Sequence, residues 1–179
     1  MKGKELKEYF NSFYNNTYSA TLSYCLKKTG DFLDLEDLVV SSYSQLYKLI
    51  KKSKTVDQPS ANKLLKEAVD KTLERYWKKH KKDLVFKKKQ NTQHALEEYL
   101  AAEIDVTEEE AAQMMLCQDV LEYVSDQPVM FRRAFVLYFY YEMNLDSISA
   151  ELNLPQEDVL YCLVTVLKRI KKNILNEYA

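Results

Sequence analysis

The stretch NLDSISAELNLPQEDVLYCLVTVLKRIKKNI, residues 144–174, decides how this chain folds. Asn144 can accept a hydrogen bond from an open backbone N–H and so start a short helix. Ile148 and Leu152, four residues apart, fall on one side of it. Asn153-Leu154-Pro155 then interrupts the pattern as a tight turn. A long helix is expected from 156 to about 174, burying Val159, Leu163, Val166 and Ile170. Two helices about a three-residue turn, anchored by Ile148, Leu152, Leu154, Val159 and Leu163, follow the grammar of a helix-turn-helix. An ordinary helical hairpin is the competing reading.

Working outward, residues 129–142 are apolar almost all round, which suits the centre of a core. Before them, Thr107 and three glutamates read as the start of a helix that runs through Met114, Met115, Val120 and Leu121 to about 125. Residues 84–107 lose clean periodicity and read as a linker, partly helical around 95–102. At the other end, Leu6, Phe10, Phe13, Thr17, Ala20 and Tyr24 recur at helical spacing over 4–28, and Gly30-Asp31 ends that helix in a turn. Asp34 is a candidate N-cap, with Asp37 three residues on, for a helix over 35–52. Its stripe is Leu35, Leu38, Val39, Ser42, Leu46, Leu49 and Ile50. Residues 54–61 form a polar loop with Pro59, and Ser60 is the expected cap of a third helix over 61–82. Leu64, Leu65, Ala68, Val69, Leu73 and Tyr76 are its apolar face, with Trp77 beside them. The expected fold is all-α: two small helical domains, 1–83 and 108–179, joined by the linker 84–107.

Composition agrees. Two glycines and three prolines in 179 residues leave long helices uninterrupted. The net charge of −1 hides strong segregation: residues 78–89 hold seven lysines, while 97–110 hold seven acids and no base. A partner feels such local charge within a Debye length. Cys25, Cys117 and Cys162 are far apart and odd in number, so neither a zinc site nor a disulfide framework is expected. The longest apolar run, 134–141, is too short and too rich in tyrosine to span a bilayer. No signal peptide is evident, and a cytoplasmic protein without cofactor or metal is expected. Catalysis is not expected either. His80 and His94 lie in charged stretches, and no phosphate loop, HExxH or nucleophile elbow occurs.

Two separated stretches resemble one family, the extracytoplasmic-function sigma factors of RNA polymerase. Residues 30–47, GDFLDLEDLVVSSYSQLY, resemble region 2: a Gly-Asp turn, an acidic pair, Leu-Val, and an aromatic-x-x-Leu-Tyr tail. Residues 61–82 sit where the promoter-melting helix follows. Residues 132–171 resemble region 4, with arginines before Phe-x-Leu and then the helix-turn-helix. About two-thirds of the chain is covered, in the family's order.

The resemblance implies a transcription initiation protein with core RNA polymerase and promoter DNA as partners, and an anti-sigma protein as a masking partner. Glu36, Asp37, Val39, Tyr43, Leu46 and Tyr47 would lie on the helix that contacts the polymerase clamp. The apolar members also suit a core. Asn62 and Lys63 would take a flipped −10 base, and Lys78, Lys79, Lys81 and Lys82 would hold the freed backbone. The lysines equally suit the negative end of a helix dipole. Gln156, Glu157, Leu160 and Tyr161 would face the −35 groove, with Lys168 and Arg169 adding charge further along.

The chain departs from the pattern at several positions. Val40 replaces the usual glutamine, Leu64 the usual tryptophan and Lys71 the usual asparagine. The recognition helix carries Asp158-Val159, Tyr161, Cys162 and Thr165 in place of Thr-Val, serine and arginines. Leu160, Val164 and Leu167 add a second apolar stripe, fit for burial or for a protein partner. The alternative is therefore a sigma-like regulatory interaction protein that has lost specific −35 binding.

Overall fold

The computed structural model describes residues 3–53, 57–80 and 110–175. All their regular structure is helical: α1 (Gly3–Thr29), α2 (Leu35–Lys52), α3 (Gln58–Lys79), α4 (Glu110–Ser125), α5 (Val129–Phe135), α6 (Leu145–Leu152) and α7 (Gln156–Ile170). The fold is all-α, as the sequence leads one to expect. Two compact units form. One holds Met1–Leu26 with Asp34–Lys81; the other holds Lys27–Leu33 with the chain from Lys82 onward. The seven residues around the Gly-Asp turn thus group with the C-terminal unit, although a boundary at 83 would put them in the other. The linker expected over 84–107, with its helical stretch around 95–102, and the Thr107 cap lie outside the described residues.

In the N-terminal unit, α2 and α3 pack side by side along Leu46, Ile50, Leu65, Ala68, Val69 and Leu73, all buried. Gln45 Nε2 donates to Thr72 Oγ1 at 2.7 Å, so a polar pair is satisfied within this packing. Tyr43 joins α2 to α1. Its ring meets Tyr14 edge-on at 4.7 Å and Phe10 at 6.3 Å. The Thr17 and Thr21 hydroxyls give their protons to Phe13 O and Thr17 O. The Tyr43 proton therefore goes to a threonine oxygen, Thr17 Oγ1 at 2.8 Å or Thr21 Oγ1 at 3.1 Å.

Two helix starts differ from expectation. Asp57, not Ser60, caps α3: its carboxylate accepts from Ser60 N at 3.1 Å, and Pro59 sits in the first turn, where its missing N–H costs nothing. That hydrogen bonding holds the Asp57 carboxyl below the usual range. Asp34 occupies the cap position of α2 but makes no capping hydrogen bond. Its Oδ2 lies instead 3.8 Å from Lys79 Nζ and 3.5 Å from His80 Nε2, linking the start of α2 to the end of α3.

The C-terminal unit buries Val124, Phe131, Ala134, Leu137, Ile148, Leu152, Leu163 and Val166 in one cluster. α5 continues beyond Phe135 as a wider turn over Val136–Tyr140, where Tyr141 N reaches back five residues to Val136 O at 3.1 Å. Phe139 and Tyr140 emerge to solvent, so this helix is central only through Leu137. The turn between α6 and α7 is as anticipated. Asn144 Oδ1 accepts from Ser147 N at 2.8 Å, and Asn153 takes the left-handed conformation at φ 53°.

Arg132 organises this unit from inside. Buried to 3% exposure, it donates from Nε to Thr29 O at 2.9 Å. Its Nη1 donates to Ser125 O at 3.0 Å and Gln127 O at 3.2 Å, and Nη2 lies 3.6 Å from Asp31 Oδ2. One guanidinium thereby ties the Gly-Asp turn to the α4–α5 connection. Gly30 makes the approach feasible: at φ +64°, a Cβ there would meet Arg133 N at 2.8 Å.

Candidate functional site

A helix that meets a partner needs a face its own fold leaves open. At about 100° per residue, the buried side of α2 holds Leu35, Leu38, Val39, Ser42, Tyr43, Leu46 and Ile50. The opposite arc carries Glu36, Asp37, Val40, Ser44, Tyr47, Lys48 and Lys51, all exposed. Val40 is 52% exposed, and two turns along the same face stands Tyr47, whose ring rests edge-on against Phe10 at 5.1 Å. The face is acidic at the helix start, apolar in the middle and basic at the end. This order also suits the helix dipole.

Of the six residues expected to touch polymerase, Glu36, Asp37 and Tyr47 lie on this open face. Val39, Tyr43 and Leu46 do not. They are buried at 0%, 3% and 0% exposure and hold α2 to its neighbours, so they have no surface to offer. The correction follows from the helical period: 39, 43 and 46 share the arc of the core residues. Val40 belongs to the face and was missed. Its signal was present, since it lies four residues after Glu36 and seven before Tyr47.

α3 exposes Asn62, Lys63, Lys66, Lys71, Arg75, Lys78 and Lys79, with Glu67, Asp70 and Glu74 among them. Asn62 and Lys63 are separated from Lys78 and Lys79 by roughly 24 Å of helix axis. They stand at opposite ends of the helix and do not form a single cluster. Trp77 is half-buried and meets Tyr76 edge-on at 4.9 Å, so it belongs to the edge of the core. Lys81 and Lys82 lie outside the described residues.

Known protein families and curated proteins provide no match to this chain.

α7 is arranged differently from α2. Gln156 and Glu157 are exposed at its start, and Lys168 and Arg169 at its end. Between them, none of the ten residues 158–167 is exposed; Tyr161, Thr165 and Leu167 are half-buried and the rest are buried. Leu160, expected on a groove-facing side, is instead a core residue at 6% exposure, and Val164 lies with it at 1%. The second apolar stripe is thus used inside the fold. Tyr161 meets Phe131 edge-on at 5.9 Å. Arg169 donates to Gln127 Oε1 at 2.7 Å and lies over the Phe131 ring at 5.7 Å. Burial pushes the Cys162 thiol up to about 12, with Asp158 adding to the rise. It pushes Cys25 up to about 11. Both thiols are therefore inert packing groups at neutral pH. Among the described residues no cluster of His, Cys, Asp and Glu could hold a metal ion, and no helix is long and apolar enough to cross a membrane.

Proposed function

We propose that this chain is a sigma-like transcription initiation protein that docks on core RNA polymerase through the open face of α2 and holds opened promoter DNA along α3. The observation that carries the reading is the coincidence of the region 2 resemblance with that face: Glu36, Asp37 and Tyr47 lie exposed where the resemblance implies a polymerase contact, and Val40 is exposed beside them. The exposed lysines and the arginine of α3 supply the positive charge that a separated strand needs. In this reading the activity is one of binding.

A second reading is favoured by α7. A helix that reads base edges needs an exposed side near its N-terminus. Here only Gln156 and Glu157 are exposed, and Glu157 repels phosphate. In this reading the C-terminal unit makes protein contacts and −35 DNA goes unread.

Open-complex formation tests both. Purified protein, bacterial core polymerase and the DNA upstream of its own gene are mixed, and unpaired thymines are mapped with permanganate. Reactive thymines near a start site support the first reading. If opening survives replacement of the −35 segment, the second reading of α7 holds within it. Binding to core without opening reduces the protein to a polymerase-bound regulator. Absence of binding to core overturns both.

A further inference from the structure

Among the described residues, α4 leaves an apolar groove uncovered. Met114, Cys117 and Leu121 lie at steps of three and four on one side of the helix, and Phe32 and Leu33 of the C-terminal unit form the other wall. The groove encloses about 640 Å³. Met114 is 73% exposed and Leu33 56%, unusual for such side chains unless something covers them. The run from Met114 to Leu121 covers about 10 Å of helix axis, which matches two to three turns of a guest helix anchored at i, i+3 or i+4, and i+7.

Charge decides the occupant. Glu122 lines the groove, and every charged residue of α4 is acidic. Nucleic acid and anionic lipid would be repelled. A second copy of α4 would set acid against acid. A guest with cationic flanks would be drawn in, and the methionine can adapt to apolar anchors of varied shape.

We propose that this groove is a docking site for an amphipathic helix of a protein partner, apolar on one face and flanked by lysine or arginine. The inference rests on the groove alone and stands or falls separately from the polymerase reading.

Cys117 makes a local reporter, because it is exposed in the groove while Cys25 and Cys162 are buried. The full chain is titrated with an 18-residue Leu/Lys peptide patterned at i, i+3, i+4 and i+7. A Leu/Glu counterpart and a scrambled Leu/Lys peptide serve as controls. The reaction of Cys117 with a chromogenic disulfide is followed. The patterned Leu/Lys peptide is expected to slow it about tenfold, and the controls to leave it unchanged. Leu121→Glu, with an unchanged circular-dichroism spectrum to show that it folds, is expected to abolish the protection, and Glu122→Lys to weaken it. Equal protection by the scrambled peptide, or protection that survives Leu121→Glu, overturns the proposal. So does protection that grows with protein concentration alone, which would assign the groove to a second copy. Binding of the Leu121→Glu variant to core polymerase is expected to match the wild type, which keeps failure here distinct from failure of the proposed function.

Discussion

α2 and α7 are both amphipathic helices, and both carry stretches that resemble interaction elements of one family, yet they use their faces in opposite ways. α2 confines its apolar residues to one arc and opens the other to solvent. α7 has two adjacent apolar stripes, and its central ten residues have no open side. The lesson is that a motif's spacing says which residues share a face, while availability depends on how wide the apolar arc is. A narrow arc leaves a partner surface; a wide one consumes the helix in its own core.

The largest expected effect comes from placing a charge in the face that α7 buries. Leu160→Asp is expected to cost about 4 kcal/mol or more, because an unpaired carboxylate enters the core. Urea unfolding with tryptophan-independent circular dichroism reads it. A cost under about 1 kcal/mol would mean that α7 has a free side and that the comparison fails.

Arg132→Ala is expected to cost about 3 kcal/mol, since it takes the donor from three backbone carbonyls and the cation from beside Asp31. Gly30→Ala comes next, at about 2 kcal/mol, from left-handed backbone and contact with the Arg133 backbone. Both are measured by the same unfolding curves. Both sharpen the comparison, because they test whether the Gly-Asp turn belongs to the unit that holds α7.

The smallest effect is electrostatic. A hydrogen bond from Lys28 at 2.6 Å, with Arg133 nearby, holds the Glu151 carboxyl below the usual range. The folded form thus takes up this proton less readily than the unfolded one. The contribution is complete above the ordinary carboxylate value and is lost as pH falls through the lower folded value. Glu151→Gln is expected to remove about 0.5 kcal/mol at neutral pH and to flatten the acid limb of the stability profile.

Much of this was legible in the chain. The bounds of α2 follow from a clean stripe between Asp34 and Ser53, and the α6–α7 turn follows from Asn153 and Pro155. The start of α3 was displaced because Asp57 and Ser60 are both good caps three residues apart, and only the position of Pro59 separates them. The Arg132 clasp was hidden for a different reason. Its partners are backbone carbonyls, one of them 103 residues away, and no side-chain pattern marks them. The apolar stripes of α7 were visible, but their burial depends on neighbours that periodicity does not name. Within α2, period alone would have exchanged Val39, Tyr43 and Leu46 for Val40.

The central claim is that the open face of α2 binds core RNA polymerase. The direct measurement is the affinity of the full chain for core polymerase, comparing wild type with Val40→Asp and Tyr47→Ala. Val40 is 52% exposed, so Val40→Asp is expected to lose no more than about 0.5 kcal/mol of stability, whereas Tyr47→Ala also gives up the ring contact with Phe10 and is expected to cost about 1 kcal/mol while still folding. The account predicts that the wild type binds and that each variant binds at least about tenfold more weakly. Wild-type binding left unchanged by both substitutions, or no binding at all, would contradict it.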